Sequence, residues 1–122
     1  MAGEMVHLEI FSDDTEKSRN FWGSLFGWQF EQFPGPNEYH MARIDDRSGV
    51  AISKEESGKR GSRTTFDVDD IDAGVARVKE LGGEASEGMP VPSMGWFSVC
   101  KDPEGNEFGL WQTDPSAPAP TG

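Results

Sequence analysis

Apolar and polar residues alternate from Val6 to Ile10, with Val6, Leu8 and Ile10 on one side and His7 and Glu9 on the other. That is the period of a half-buried strand. Ser12-Asp13-Asp14 then offers helix N-caps with acids at the positive end of the helix dipole. Thr15 to Phe26 reads as a helix whose expected buried side is Phe21 and Leu25, joined by Trp22 and Phe26. Gly27 ends it. Trp28 to Phe33 reads as a strand, Pro34 to Asn37 as a loop, and Tyr39 to Ile44 and Val50 to Ser53 as two strands around the turn Asp45–Gly49. Lys54 to Ser62, KEESGKRGS, has almost no apolar residue and reads as a mobile linker whose Lys54, Lys59 and Arg60 are solvated.

The pattern then restarts. Thr64 to Val68 is a strand, Asp69-Asp70-Ile71-Asp72 an acidic helix start, and Ala73 to Leu81 a helix with Val75, Val78 and Leu81 on one side. Gly82-Gly83 closes it; Glu84 to Val91 is mostly extended, and Pro92 to Gly95 is a loop. Trp96 to Cys100 and Glu107 to Gln112 flank Asp102-Pro103-Glu104-Gly105-Asn106, a turn in which Pro103 presets φ and Gly105 or Asn106 takes positive φ. Val6 to Thr64 is 58 positions and Asp45 to Asp102 is 57, so the chain is two copies of strand, helix, strand, strand, strand. From Asp114 the tail, DPSAPAPTG, has little to bury and is expected to be disordered over 114–122.

Charge narrows the partners. Among 122 residues, 22 are acidic and 11 basic, a net charge of −11, which argues against nucleic acid or an anionic membrane. Eight Phe and four Trp supply the large surfaces a core needs. Cys100 is the single cysteine, on a predicted strand, so it reads as a packing residue in a reducing compartment. With no signal-like N-terminus and no stretch of membrane-spanning length, the expected location is cytoplasmic.

Four pieces carry a resemblance: Val6-His7-Leu8-Glu9-Ile10; Phe21-Trp22 with Leu25-Phe26-Gly27-Trp28; Phe66-Asp67-Val68-Asp69-Asp70-Ile71; and Asp102-Pro103-Glu104-Gly105-Asn106 with Phe108. Together they resemble the vicinal oxygen chelate superfamily: glyoxalase I, bleomycin-resistance and fosfomycin-resistance proteins, extradiol dioxygenases and methylmalonyl-CoA epimerase. The resemblance implies an α+β fold in which two βαβββ modules form a curved, cleft-enclosing mixed sheet with helices on the outside. It implies one glyoxalase/bleomycin-resistance-like domain over 1–113, with modules of about 5–53 and 63–112, linker 54–62, and the tail 114–122.

Metal-dependent relatives place ligands on the cleft faces of the first and last strands of each module. His7 stands at the first such position, but Arg63 stands where a second histidine is usual and Gly109 where a glutamate is usual. A guanidinium is permanently charged and cannot ligate, so no metal and no cofactor are expected. Glu107 would serve only if a one-residue bulge shifted its strand. His7 is then either a hydrogen-bonded cleft histidine or a catalytic acid–base, alone or with Glu9 or Asp67. The expected ligand-binding residues are Glu9, Tyr39, Arg63, Thr65, Asp67, Met94, Trp96 and Trp111, with Arg43 as a further candidate and His40 read as a surface residue. Trp96 and Trp111 would either stack on a flat ligand or pack at a dimer interface. Arg63 needs a partner away from water: Glu9 or Asp67 in one case, an anionic group of a ligand in the other.

The function these features imply is metal-independent binding of a small molecule, as in the bleomycin-resistance branch, in a cleft lined by aromatic and a few charged residues. The alternative is a glyoxalase-like lyase or isomerase, or another small-molecule enzyme, using His7 as acid–base or metal ligand. The expected partners are a small molecule and a second copy of the chain, with no nucleic acid and no membrane.

Overall fold

The computed structural model describes residues 2–119. The chain divides into two compact units, Val6–Arg63 and a second made of the stretch before Val6 together with the stretch from Thr64 on. Each repeats the same plan, and the class is α+β.

In the first unit the elements are β1 (Met5–Ser12), α1 (Thr15–Phe26), β2 (Glu31–Gln32), β3 (Tyr39–Arg43) and β4 (Gly49–Lys54). The sheet order is β2-β3-β4-β1. β1 and β4 run parallel, pairing His7 with Gly49, Leu8 with Val50, Glu9 with Ala51 and Ile10 with Ile52. A parallel pair needs a long crossover, and α1 begins it. Val50, Ala51 and Ile52 are wholly buried, because β4 lies between β1 and β3 and its helix-side residues meet α1.

In the second unit β5 (Ser62–Asp67), α2 (Ile71–Glu80), β6 (Glu84–Ala85), β7 (Met89–Val91), β8 (Gly95–Lys101) and β9 (Glu107–Thr113) follow. β5 pairs parallel with β9, and β8 antiparallel with β9, β6 and β7. The core is Ile71, Val75, Cys100 and Leu110, with Phe66, Val68, Val78, Ala85, Trp96 and Phe108 packed on it. Cys100 is a packing residue here, and burial pushes its thiol pKa up. The α2 start is tied to β9 by Ile71 N–H donating to Gln112 Oε1 at 2.8 Å.

The turn of 102–106 is held by its first residue. Asp102 Oδ1 accepts from the backbone N–H of Glu104 at 2.9 Å and of Asn106 at 2.8 Å, and Oδ2 accepts from Asn106 Nδ2 at 2.9 Å. Gly105, at φ 88°, supplies the left-handed residue the turn requires.

Four details differ from the sequence reading. The strand expected over 28–33 is only Glu31–Gln32, and the stretch 84–91 is two short strands with a break at 86–88. Gly88 lies so close to Ile71 that an added Cβ would stand 3.1 Å from its side chain. The expected tail is tied down at its start: Trp96 Nε1 donates to Asp114 Oδ2 at 3.0 Å, Ser93 N–H donates to the Ala117 carbonyl at 3.0 Å, and Ala117 is buried. Residues 120–122 lie outside those described. Finally, α1 is turned relative to expectation. Asp14 caps it, accepting from Lys17 N–H at 3.1 Å, Ser12 and Ser18 hydroxyls meet at 2.7 Å, and Thr15 donates to Glu38. These bonds put Thr15, Ser18, Arg19 and Trp22 inward, while Phe21, Leu25 and Phe26 stay 60, 56 and 56 % exposed. Among the described residues no helix is long and apolar enough to cross a membrane.

The β5–β9 register supplies a test. Thr65 faces Gly109, and a Cβ at 109 would stand 2.5 Å from Thr65 Oγ1. Gly109→Ala is expected to lower unfolding free energy by about 1–3 kcal/mol, and Thr65→Ala in the same chain to restore most of it. Denaturant titration of the two single variants and the double variant measures the coupling; independent, additive losses would show that the contact is not the cause.

Candidate functional site

Residues paired across neighbouring strands share a face. In the first unit, His7 and Glu9 therefore share theirs with Gly49, Ala51 and Ser53 of β4, and with Tyr39, Met41 and Arg43 of β3. Val6, Leu8 and Ile10 take the other side, with Val50, Ile52, Ala42 and His40. His40 is not a surface residue: it is buried, and its Nε2 lies 2.8 Å from Glu38 Oε2 beside the α1 start.

Four polar side chains converge on the first face. His7 Nε2 lies 2.7 Å from the Tyr39 hydroxyl, their rings nearly parallel at 19°. Arg63 donates to Glu9 Oε1 at 3.0 Å, and these two side chains are only 14 and 15 % exposed. The Glu9 carboxylate acts on the same hydroxyl. Gly49 lies beside the other ring nitrogen of His7; a Cβ there would be 3.8 Å from Nδ1.

Burial is the main influence on both titrating groups. It pushes the His7 pKa down, with Glu9 opposing and Arg63 reinforcing. It pushes the Tyr39 pKa well up, with the Glu9 charge and hydrogen bond reinforcing and Arg63 opposing. At neutral pH the pair is a neutral imidazole and a neutral phenol, next to an ion pair whose charges offset each other. Phe33 meets the Tyr39 ring edge-on at 6.1 Å. The Phe11 ring, buried, carries Lys59 Nζ at 4.6 Å and the Arg63 guanidinium at 5.5 Å from its centroid. Arg43 turns instead to the following loop, donating to the Asp46 carbonyl at 2.5 Å.

In the second unit, Thr65 and Asp67 share a face with Gly109 and Trp111, and through β8 with Phe97 and Val99. Trp96 does not belong to it. Its neighbour across the ladder is Gln112, and it packs against the α2 core. The alternation in β8 puts Phe97, which the sequence reading passed over, on the face assigned to Trp96. The sequence places both residues on one strand, and the ladder pairing of Trp96 with Gln112 and of Phe97 with Trp111 decides their faces. Met94 stays exposed in the turn between β7 and β8, its carbonyl accepting from Asp114 N–H at 2.9 Å. Trp111 Nε1 donates to Thr113 Oγ1 at 3.0 Å. Two cavities of about 260 Å³ each, one lined by Glu84–Ser86 and Val99–Lys101, the other by Leu8, Ile10, Phe11, Trp22, Gly61 and Ser62, include none of the four converging side chains.

The donor set does not suit a divalent metal. Catalytic sites need about three protein ligands with open positions. Among the described residues no three His, Cys, Asp or Glu side chains gather. His7 Nε2 is engaged by Tyr39, and position 109 has no room for a side chain beside Thr65. The β8–β9 register runs unbroken from Glu107 to Thr113, so no bulge moves Glu107 into the 109 position.

Comparison with known proteins agrees with this architecture. The model of the glyoxalase-like domain matches residues 5–111. "Putative glyoxylase CFP32" of Mycobacterium bovis is 30 % identical over 118 residues, covering 88 % of this chain and 44 % of its own length. A "Glyoxylase-like domain-containing protein" of Didymella fabae is 29 % identical, covering 90 % of this chain and 94 % of its own. "Anthracycline biosynthesis protein DnrV" of Streptomyces peucetius is 27 % identical, covering 90 and 47 %. The chain thus spans about half the length of CFP32 and DnrV. Among solved structures, methylmalonyl-CoA epimerase in complex with methylmalonyl-CoA and NH4+ superposes with a TM-score of 0.77 at 14 % identity, covering 98 % of this chain and 100 % of the other. Methylmalonyl-CoA epimerase from Mycobacterium tuberculosis gives 0.72 at 14 % identity, covering 92 and 89 %. Likeness at that identity establishes the fold alone. With two βαβββ modules and a family match running from β1 to β9, the chain belongs to the glyoxalase-like domain family of the vicinal oxygen chelate superfamily.

Proposed function

We propose that this protein is a metal-independent binder of small, flat, uncharged or cationic molecules, held against the face that carries His7, Tyr39, Glu9 and Arg63. The observation that carries the reading is the engaged His7: its Nε2 is 2.7 Å from the Tyr39 hydroxyl. A neutral imidazole and a neutral phenol suit a carbonyl or hydroxyl group of a ligand. Arg63 is held by Glu9, so an anionic ligand would have to break that pair, against a net charge of −11. Phe33 brings aromatic surface to the first unit, and the second unit, taken by itself, has Phe97 and Trp111 on one face. Thr65 and Asp67 supply polar groups beside Trp111, and Met94 an exposed thioether. Two chains pair in this reading, in the cytoplasm, which suits a single thiol that is buried.

An acid–base enzyme is the second reading, and one observation favours it. His7 is kept in its basic form, with Nδ1 facing the bare Cα of Gly49. A base so placed can take a proton from carbon beside a carbonyl.

An anthracycline aglycone is a suitable flat probe, by analogy with the named role of DnrV, and methylmalonyl-CoA a suitable anionic one. Calorimetry is expected to show binding of the aglycone and none of the thioester. Tyr39→Phe should weaken the aglycone about 5- to 15-fold, the worth of one hydrogen bond. Tight thioester binding lost in Arg63→Ala would reverse the assignment of ligand charge. Hydrogen–deuterium exchange at the thioester's α-carbon, abolished in His7→Gln, would establish the enzyme instead.

Arg63→Ala leaves Glu9 charged and buried, and is expected to cost on the order of 3 kcal/mol in a denaturant titration; an unchanged midpoint would show that the pair contributes nothing to stability. Overnight chelation should leave the melting temperature unchanged, with elemental analysis finding far less than one transition metal per chain.

The pH dependence has a defined sign. A histidine whose folded pKa lies below its unfolded value makes the unfolded state bind more protons between the two. Stability is therefore full above about pH 6.5 and falls as the pH drops toward the folded pKa. The stability difference between wild type and His7→Gln should shift against the wild type on going from pH 7 to pH 5. A difference independent of pH would show that His7 titrates normally.

A further inference from the structure

α1 presents its polar stripe to the sheet and its apolar stripe to solvent. Thr15, Ser18, Arg19 and Trp22, at positions i, i+3, i+4 and i+7, lie inward, and Arg19 Nε is buried without a hydrogen-bond partner. Phe21, Leu25 and Phe26 are more than half exposed. Two half-buried indoles back this surface: Phe21 meets Trp22 edge-on at 5.3 Å, Trp22 stacks on Trp28 at 5.9 Å, and Phe26 leans on Trp28 at 4.8 Å. A helix that packs on a domain ordinarily does the reverse, and clustered apolar exposure marks an interaction surface.

We infer that this ridge is where two copies of the chain pair, α1 against α1 about a two-fold axis. This rests on the pairing stated above and names its surface. The edges formed by β2 and β6 are poor candidates, because each is two residues long and short edge strands resist pairing. The ridge is self-complementary. Phe21 and Leu25 are four apart, so their row interdigitates with the same row of an antiparallel copy. Asn20 and Ser24 beside them leave grooves for the facing side chains. The charges also match. Lys17 lies one turn before Phe21 on the same line, and α1 has no basic residue in its last turn. Antiparallel pairing brings each Lys17 ammonium to the carbonyl end of the other helix, where a cation is favoured. Phe21, Leu25 and Phe26 expose on the order of 300 Å² per chain, against roughly 800 Å² per partner in a stable interface. The ridge therefore forms the centre of the contact, with its surroundings as rim.

Sedimentation velocity at micromolar concentration tests this with the full chain. Wild type is expected as a dimer, and Leu25→Glu as a monomer weakened at least about 30-fold in self-affinity, with unchanged near-ultraviolet circular dichroism because the residue is exposed. Lys17→Glu should loosen the dimer several-fold. Ser24→Cys provides a readout that does not depend on destabilising anything: a short bis-maleimide should join its two copies, while Glu104→Cys, on the 102–106 turn, stays single. A monomeric wild type would overturn the pairing itself, and flotation of that monomer with phosphatidylcholine vesicles would assign the ridge to a lipid surface. A dimer indifferent to Leu25→Glu, with Ser24→Cys not joined, would overturn only this surface. Aglycone binding by monomeric Leu25→Glu is a separate measurement, so failure of the ligand reading and failure of the ridge are told apart.

Discussion

Everything at the candidate site depends on one constraint, the parallel pairing of the first strand of each module with its last. A strand that must run parallel to another needs a crossover, and a helix starts that crossover in both modules. The pairing fixes which residues meet: His7 with Gly49, Glu9 with Ala51, Thr65 with Gly109, Asp67 with Trp111. Because side chains alternate strictly along a strand, a slip of one residue would bury every polar group of the face under its helix. The wholly buried Val50 and Ile52 hold the register of the first module, and Leu110 with Cys100 that of the second.

Once the register is set, electrostatics organise the polar group. Glu9 is the acceptor at its centre, taking a hydrogen bond from Arg63 and acting by its charge on the Tyr39 hydroxyl. Its charge is offset by the guanidinium, so it does not force His7 to protonate; burial decides the imidazole's state instead. Among the described residues the same arrangement gathers no three metal-ligating side chains. One ring nitrogen of His7 is taken by the Tyr39 phenol, and position 109 is closed to a side chain by Thr65 packing on a glycine.

The α1 helix shows how strongly local bonds govern tertiary placement. The Asp14 cap, the Ser12–Ser18 contact and the Thr15–Glu38 bond all act on its first turn, and together they set its rotation about its own axis. Hydrophobic spacing identifies a stripe but carries no information about which way that stripe faces when capping bonds compete with it. An amphipathic pattern therefore located the helix to the residue, Thr15–Phe26, and misassigned its inner side.

What the sequence determined by itself is whatever short-range chemistry dictates. Alternation placed His7 and Glu9 opposite Val6, Leu8 and Ile10; the acidic caps and glycines bounded the helices; the offset of 57 to 58 positions gave the repeat, and Asp102 to Asn106 its turn. Only the tertiary structure decided the rest. Glu9 and Arg63 form an ion pair although these positions are 54 residues apart. Tyr39 reaches His7 across β4, a meeting set by strand order rather than by spacing. Trp96 went to the helix side because it pairs with Gln112, while Phe97 pairs with Trp111 on the other face. Each of these outcomes depends on long-range pairing, and long-range pairing is the one thing that neighbouring residues do not encode.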